Sequence, residues 1–303
     1  MDEQFADIGN GITLCYETFG EAGHPSVLLI MGLGTQMLAW HEDFCRDLAG
    51  RGFRVIRFDN RDIGRSTHLD DVPPPTAAQL LRRSKRAAAY RLSDMADDAA
   101  GLLDALGIDA AHVVGASMGG MIAQSMAARH PDRVRSLVSI MSNTGARFSG
   151  QPALRVYPTF VQRPARHRDE AVERSVRLFR IVGSTGFERD EDELRELART
   201  AYERAYNPAG AGRQLAAILA SGDRTRELRG IRVPTLVIHG DADRLIAPSG
   251  GRATARAIPG ARLMRIPGMG HDLPRGAWPR ILDAIATQAH AADGTAGTAV
   301  RAA

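Results

Sequence analysis

Short apolar runs recur along the chain at residues 12–19, 26–30, 53–58, 112–115, 134–140, 234–240 and 261–266. Several are apolar almost without interruption, which is how strands buried on both faces read, so they predict a mostly parallel sheet with cover above and below it. Residues 40–51, 91–106, 119–130, 249–258 and 278–290 supply the cover, each placing apolar positions three and four apart as an amphipathic helix does. Strand alternating with helix predicts an α/β fold wound with helices on both faces of the sheet.

Two stretches break the alternation. Residues 70–75 hold three consecutive prolines and read as an irregular surface loop. Between residues 145 and 229 the strand pattern gives way to charged amphipathic helices, broken at Gly183, Gly186 and the Asn-Pro-Ala-Gly run from Asn207. The predicted organisation is a core of residues 1–144 and 230–290 with an all-helical insertion at 145–229. The small, non-periodic residues 291–303 form an expected mobile tail. No repeat of 20–50 residues is present, which sets aside solenoids and propellers.

Composition narrows the function classes. At 303 residues with 44% hydrophobic and 24% charged side chains, the chain can bury a large core without disulfides or metal staples. Cys15 and Cys45 are the two cysteines and read as unpaired core residues. The formal net charge is +4, but arginine alternates with acid, as over residues 188–199, and aromatics make up 5%, so no nucleic-acid surface is expected. No run reaches the roughly 18 apolar residues of a membrane span, and the chain opens Met-Asp-Glu-Gln, so no membrane partner and a cytoplasmic location are expected.

The sharpest chemical signal is G-x-S-x-G at Gly115, Ser117 and Gly119, entered from an apolar strand and leaving into a helical pattern. A serine on so sharp a turn has almost no room beside its backbone, so the flanking glycines let the turn close and the hydroxyl projects from the sheet. Such a hydroxyl needs a base with an acid behind it. Residues 233–238 lead into His239, Asp241 and Asp243, and residues 262–266 lead into a Gly-rich loop ending in His271 and Asp272. Of the nine histidines, His271 is the candidate base. His112 and His239 end or begin strands and read as structural, and the others lie in loops or charged helical surroundings. Asp243 is the candidate acid, with Asp241 and Asp272 as alternatives. Two backbone N–H groups must hold the developing oxyanion. Met118 supplies one, and Leu33, with Gly32 as the alternative, supplies the other from the turn after the 26–30 strand. The run at 58–66 reads as a turn locked by side-chain hydrogen bonds and ion pairs, or as a pocket rim.

Together these residues resemble the α/β-hydrolase superfamily over nearly the whole chain. The stretches Leu-Ile-Met-Gly-Leu at 29–33, Arg-Phe-Asp-Asn-Arg-Asp-Ile-Gly-Arg-Ser at 57–66, His-Val-Val-Gly-Ala-Ser-Met-Gly-Gly at 112–120 and Pro-Gly-Met-Gly-His at 267–271, with Trp40, look most like the aclacinomycin methylesterase type. The resemblance implies an α/β-hydrolase fold whose helical insertion is a cap that sets specificity. It also implies a Ser117, Asp243, His271 triad with oxyanion donors Leu33 and Met118, and hydrolysis of a small-molecule ester such as a polyketide methyl ester. No metal and no cofactor are expected, since no H-E-x-x-H, C-x-x-C or P-loop occurs. A monomer or homodimer is expected. The same triad serves perhydrolases, carbon–carbon bond hydrolases, aminopeptidases and acyltransferases, and a silent ligand receptor stands as a reading of a different class. In the insertion, Leu178, Phe179, Ile181, Leu215 and Ile218 read either as pocket lining or as simple helix packing.

Overall fold

In the computed structural model, which describes residues 2–82, 84–160 and 163–301, the apolar runs become β2 (Thr13–Phe19), β3 (Ser26–Ile30), β4 (Arg54–Phe58), β5 (Ala111–Ala116), β6 (Val134–Ile140), β7 (Thr235–Gly240) and β8 (Arg262–Ile266). A further strand, β1 (Gln4–Asp7), precedes them. The sheet order is β1-β2-β4-β3-β5-β6-β7-β8. The β1–β2 and β2–β4 pairs are antiparallel, and from β4 to β8 every pair is parallel. The sequence pattern does not show β1 because it is four residues long and lies at the sheet edge, where only Ala6 is buried.

The helices are α1 (Glu42–Ala49), α2 (Ala77–Leu81), α3 (Leu92–Ala105), α4 (Met118–Arg129), α5 (Tyr157–Phe160), α6 (Arg168–Val182), α7 (Glu191–Arg204), α8 (Pro208–Ser221), α9 (Thr225–Leu228), α10 (Ser249–Ala257) and α11 (Trp278–Arg301). Alternate strand residues face opposite layers. Leu28, Ile30 and Val113 pack with Leu102 and Leu103 of α3 and Ile122 and Met126 of α4. Val27, Leu29 and Val114 pack with Phe44 and Leu48 of α1 and Ile281 and Ile285 of α11. These strands are buried over their full length because both faces are covered. Among the described residues no helix is long and apolar enough to cross a membrane.

The tail differs from expectation. Instead of leaving the last helix near His290, the backbone continues α11 to Arg301. Ala291 and Ala292 continue the helix directly after His290, alanine being the strongest helix former. Residues 302 and 303 lie outside the described residues. So do residues 161 and 162 of the 145–229 stretch, whose helices α5 to α9 stand between β6 and β7 in the chain. This stretch meets the sheet at the carboxyl ends of its parallel strands, where the loops after β3, β5, β7 and β8 converge.

Candidate active site

Ser117 is the residue between β5 and α4, with φ +57° and ψ −120°, a backbone conformation that costs a non-glycine residue on the order of 1–3 kcal/mol. Its N–H donates to the Ile140 carbonyl at 2.9 Å, which ties the turn to β6. The neighbours leave no choice of residue. A Cβ on Gly115 would overlap the Gly119 carbonyl, and one on Gly119 would overlap the Ile30 carbonyl. Gly32, after β3, also approaches closely, since a Cβ there would lie 3.1 Å from the Ser117 Cβ.

His271 lies in the loop after β8, a long way from Ser117 in the chain and next to it in space. The Ser117 hydroxyl donates to His271 Nε2 at 2.9 Å, and His271 Nδ1–H donates to Asp243 Oδ2 at 2.8 Å. The second carboxylate oxygen, Oδ1, accepts the Leu245 and Ile246 N–H groups, each at 2.9 Å, so both oxygens are engaged and the carboxylate cannot rotate freely. His271 is 9% exposed and Asp243 4%, so this chain of hydrogen bonds runs through an environment of low dielectric.

The alternative acids are turned elsewhere. Asp241 accepts the Gly268 N–H at 2.7 Å, and Asp272 accepts both the N–H and the hydroxyl of Ser184. His239 is buried, and burial holds its pKa below the usual histidine value, so it stays neutral and donates from Nε2 to the Ile246 carbonyl at 2.9 Å. His112 is likewise buried, against Ser136 and Asp293. Burial pushes both thiols, Cys15 and Cys45, up to about 12, which leaves neither a thiolate near neutral pH.

The Leu33 and Met118 backbones flank Ser117, and among the described residues neither N–H has an intramolecular acceptor. The turn carrying Leu33 is braced by residues whose contribution the sequence does not reveal. Asn60 donates to the Met31 carbonyl at 2.9 Å, Asp59 Oδ1 accepts the Met37 N–H at 2.8 Å, and Gln214 of α8 accepts the Gly34 N–H at 2.9 Å. The 58–66 run is therefore a locked turn that also supports the loop beside Ser117. Its charged positions showed in the sequence, but their partners on α7 and α8 are far away in the chain.

A cavity of about 1660 Å³ opens onto Ser117 and His271 between the carboxyl ends of the parallel strands and the helical stretch. Leu178, Phe179, Ile181, Leu215 and Ile218 all line it, so these side chains face the cavity as well as packing against their neighbours. Its size exceeds the few hundred to about 1,000 Å³ of an ordinary small-molecule site. Chemically, the arrangement can deprotonate a hydroxyl nucleophile and hold an anion beside it.

Comparisons with known proteins fit this geometry. A family model described as alpha/beta hydrolase fold matches residues 25–274. Rhodomycin D methylesterase DnrP of Streptomyces peucetius is 30% identical over 302 residues, covering 93% of this chain and 96% of its own. DauP of Streptomyces sp. strain C5, a protein of the same description, matches to the same extent. Among solved structures, the enol-lactonase of Burkholderia xenovorans LB400 superposes with a TM-score of 0.73 at 24% identity, covering 94% of this chain and 99% of its own, a likeness of fold.

Proposed function

The chain belongs to the alpha/beta hydrolase fold family, and from that premise we propose that it is a serine carboxylesterase working through an acyl-enzyme. The observation that carries the reading is His271 bridging Ser117 and Asp243 at 2.9 and 2.8 Å on the wall of the large cavity. Ser117 Oγ attacks the ester carbonyl carbon as its proton passes to His271 Nε2. Asp243 holds the imidazole in the tautomer that can accept that proton and stabilises the imidazolium that forms. The Leu33 and Met118 N–H groups receive the oxyanion, each worth on the order of 3 kcal/mol to the transition state. The imidazolium then protonates the departing alkoxide, which leaves as alcohol. Water, deprotonated by His271, attacks the acyl group, and collapse of the second oxyanion returns the proton to Ser117 and releases the acid.

For the substrate we favour a methyl ester of a large hydrophobic, polyketide-like molecule. Two relatives described as rhodomycin D methylesterases support this, as does a cavity of about 1660 Å³ whose lining combines Leu, Ile, Met and Phe side chains with charged ones. The stretch 145–229 then acts as a specificity cap over the triad. Purified protein should hydrolyse p-nitrophenyl esters and take up a fluorophosphonate on Ser117, located by mass spectrometry, and Ser117→Ala should do neither. Hydrolysis that survives in Ser117→Ala, or label on another residue, would remove the serine mechanism.

A further inference from the structure

We propose that Ser184 and Asp272 are positioning residues for His271, forming a clasp by which the segment after α6 holds the loop that carries the base. This rests on the triad reading above.

Three consecutive residues of the His271 loop are gripped from the same side. Gly270 donates its N–H to Ser184 Oγ at 2.9 Å, His271 donates its own N–H to the Val182 carbonyl at 2.8 Å, and Asp272 Oδ1 accepts the Ser184 N–H at 2.8 Å and hydroxyl at 2.5 Å. One serine hydroxyl thus closes a ring around His271, accepting from the residue before it and donating to the residue after it. The zipper continues at Gly268, whose carbonyl accepts the Thr185 and Gly186 N–H groups, each at 2.9 Å. The fit is close enough that a Cβ on Gly270 would overlap Gly183. The loop's backbone is therefore set by the helical stretch as much as by the sheet. The imidazole must satisfy Ser117 and Asp243 at once, so displacing its backbone by about 1 Å would spoil one bond or both, a misplacement able to cost as much as 100-fold in rate.

Asp272 also brings charge. Among the described residues its carboxylate has no ion pair, and its Oδ1 is held by the Ser184 N–H and hydroxyl. Burial, the dominant influence, raises its pKa, while Ser184 and the charges of Arg189 and His271 pull the other way. The charged groups around the base are Asp243 on the β7 loop, Asp272 itself and Arg189, which donates to the Ser184 carbonyl at 3.0 Å. His239 beside Asp243 is neutral, and Arg275 is turned away to Glu193 and Asp43.

The test uses Ser184→Ala, Ser184→Thr and Asp272→Asn in the full chain, assayed well below each melting temperature. Ser184→Ala should lower kcat about tenfold or more with KM held within about twofold, and should slow fluorophosphonate labelling of Ser117 by the same factor. Ser184→Thr, which keeps the hydroxyl, should recover most of the rate. Asp272→Asn keeps an acceptor oxygen for the Ser184 N–H and hydroxyl, so it should lower kcat less than Ser184→Ala does, with KM again held within about twofold. A wild-type rate in Ser184→Ala, or an equal loss in Ser184→Thr, overturns the clasp, while wild-type labelling leaves the triad reading standing. Wild-type protein that fails to label at Ser117 overturns the triad reading and the clasp with it.

Discussion

At the scale of single residues, the site is a set of constraints that meet at Ser117. Its φ of +57° is tolerated because Gly115 and Gly119 leave space where side chains would collide, and because its N–H and hydroxyl are both bonded. In the proposed mechanism Ser117 is activated through His271 and His271 is held by Asp243, so the three should act as a unit. Ser117→Ala and His271→Ala should each lower kcat by a similar factor, and the double variant should lose little more than either. Steady-state kinetics on the three proteins checks this, and additive losses would separate the residues. The glycines and the serine were legible in the sequence, because a turn that excludes side chains is a local steric requirement. The choice of Asp243 over Asp241 was not settled locally. It depends on the direction each carboxylate takes after β7, and the structure sends Asp241 to Gly268 and Asp243 to His271.

At the scale of elements, the run at 58–66 shows how far a local pattern reaches. Its charges and Gly64 mark a locked turn, yet its main partners lie on α7 and α8. Asp62 is fully buried and receives Arg213 at 2.9 and 2.6 Å, the Tyr90 hydroxyl at 2.8 Å and the Leu69 N–H at 2.9 Å. Asp59 pairs with Arg204 at 2.6 Å. These pairs fasten the helical stretch to the loop beneath Leu33. Breaking one partner of a buried pair strands the other charge, so Arg213→Met should cost about 3–5 kcal/mol. Urea unfolding should show a lower midpoint with an unchanged slope, and a shift near zero would mean that the pair does not hold the stretch in place. Elements without an apolar period stayed invisible. β1 has one buried residue, and the extension of α11 past His290 has no amphipathic stripe to announce it.

At the scale of the whole molecule, the same buried pair links stability to pH. Burial alone would raise the Asp62 pKa, but Arg213, the Leu69 N–H and the Tyr90 hydroxyl outweigh it, and the carboxyl sits below its ordinary 3.8. As pH falls below that value the unfolded chain takes up a proton that the folded chain does not. The stabilisation is therefore complete above about pH 4 and is lost as pH drops through the lower folded value. Melting temperatures of wild type and Arg213→Met should differ most above pH 4 and converge below it. A gap that stays constant into strong acid would show that Asp62 does not titrate as a paired carboxylate.

The sequence by itself determined the alternation of strand and helix, the layered α/β fold, the sharp turn at Ser117 and the all-helical character of the stretch between β6 and β7. Each is written in neighbouring residues, as a period of 2 or 3.6, a continuous apolar run, or a glycine where no side chain fits. Only the tertiary structure decided which loops meet. It brings Ser117 and His271 together across 154 residues and Ser184 and Asp272 across 88. It sets Gln214 against the Leu33 turn, and it shapes a cavity from helices whose apolar positions in the sequence fit pocket lining and packing equally. The physical reason is that a period or a steric exclusion is a property of one segment, whereas a hydrogen bond between distant side chains exists only after burial has fixed both segments in place.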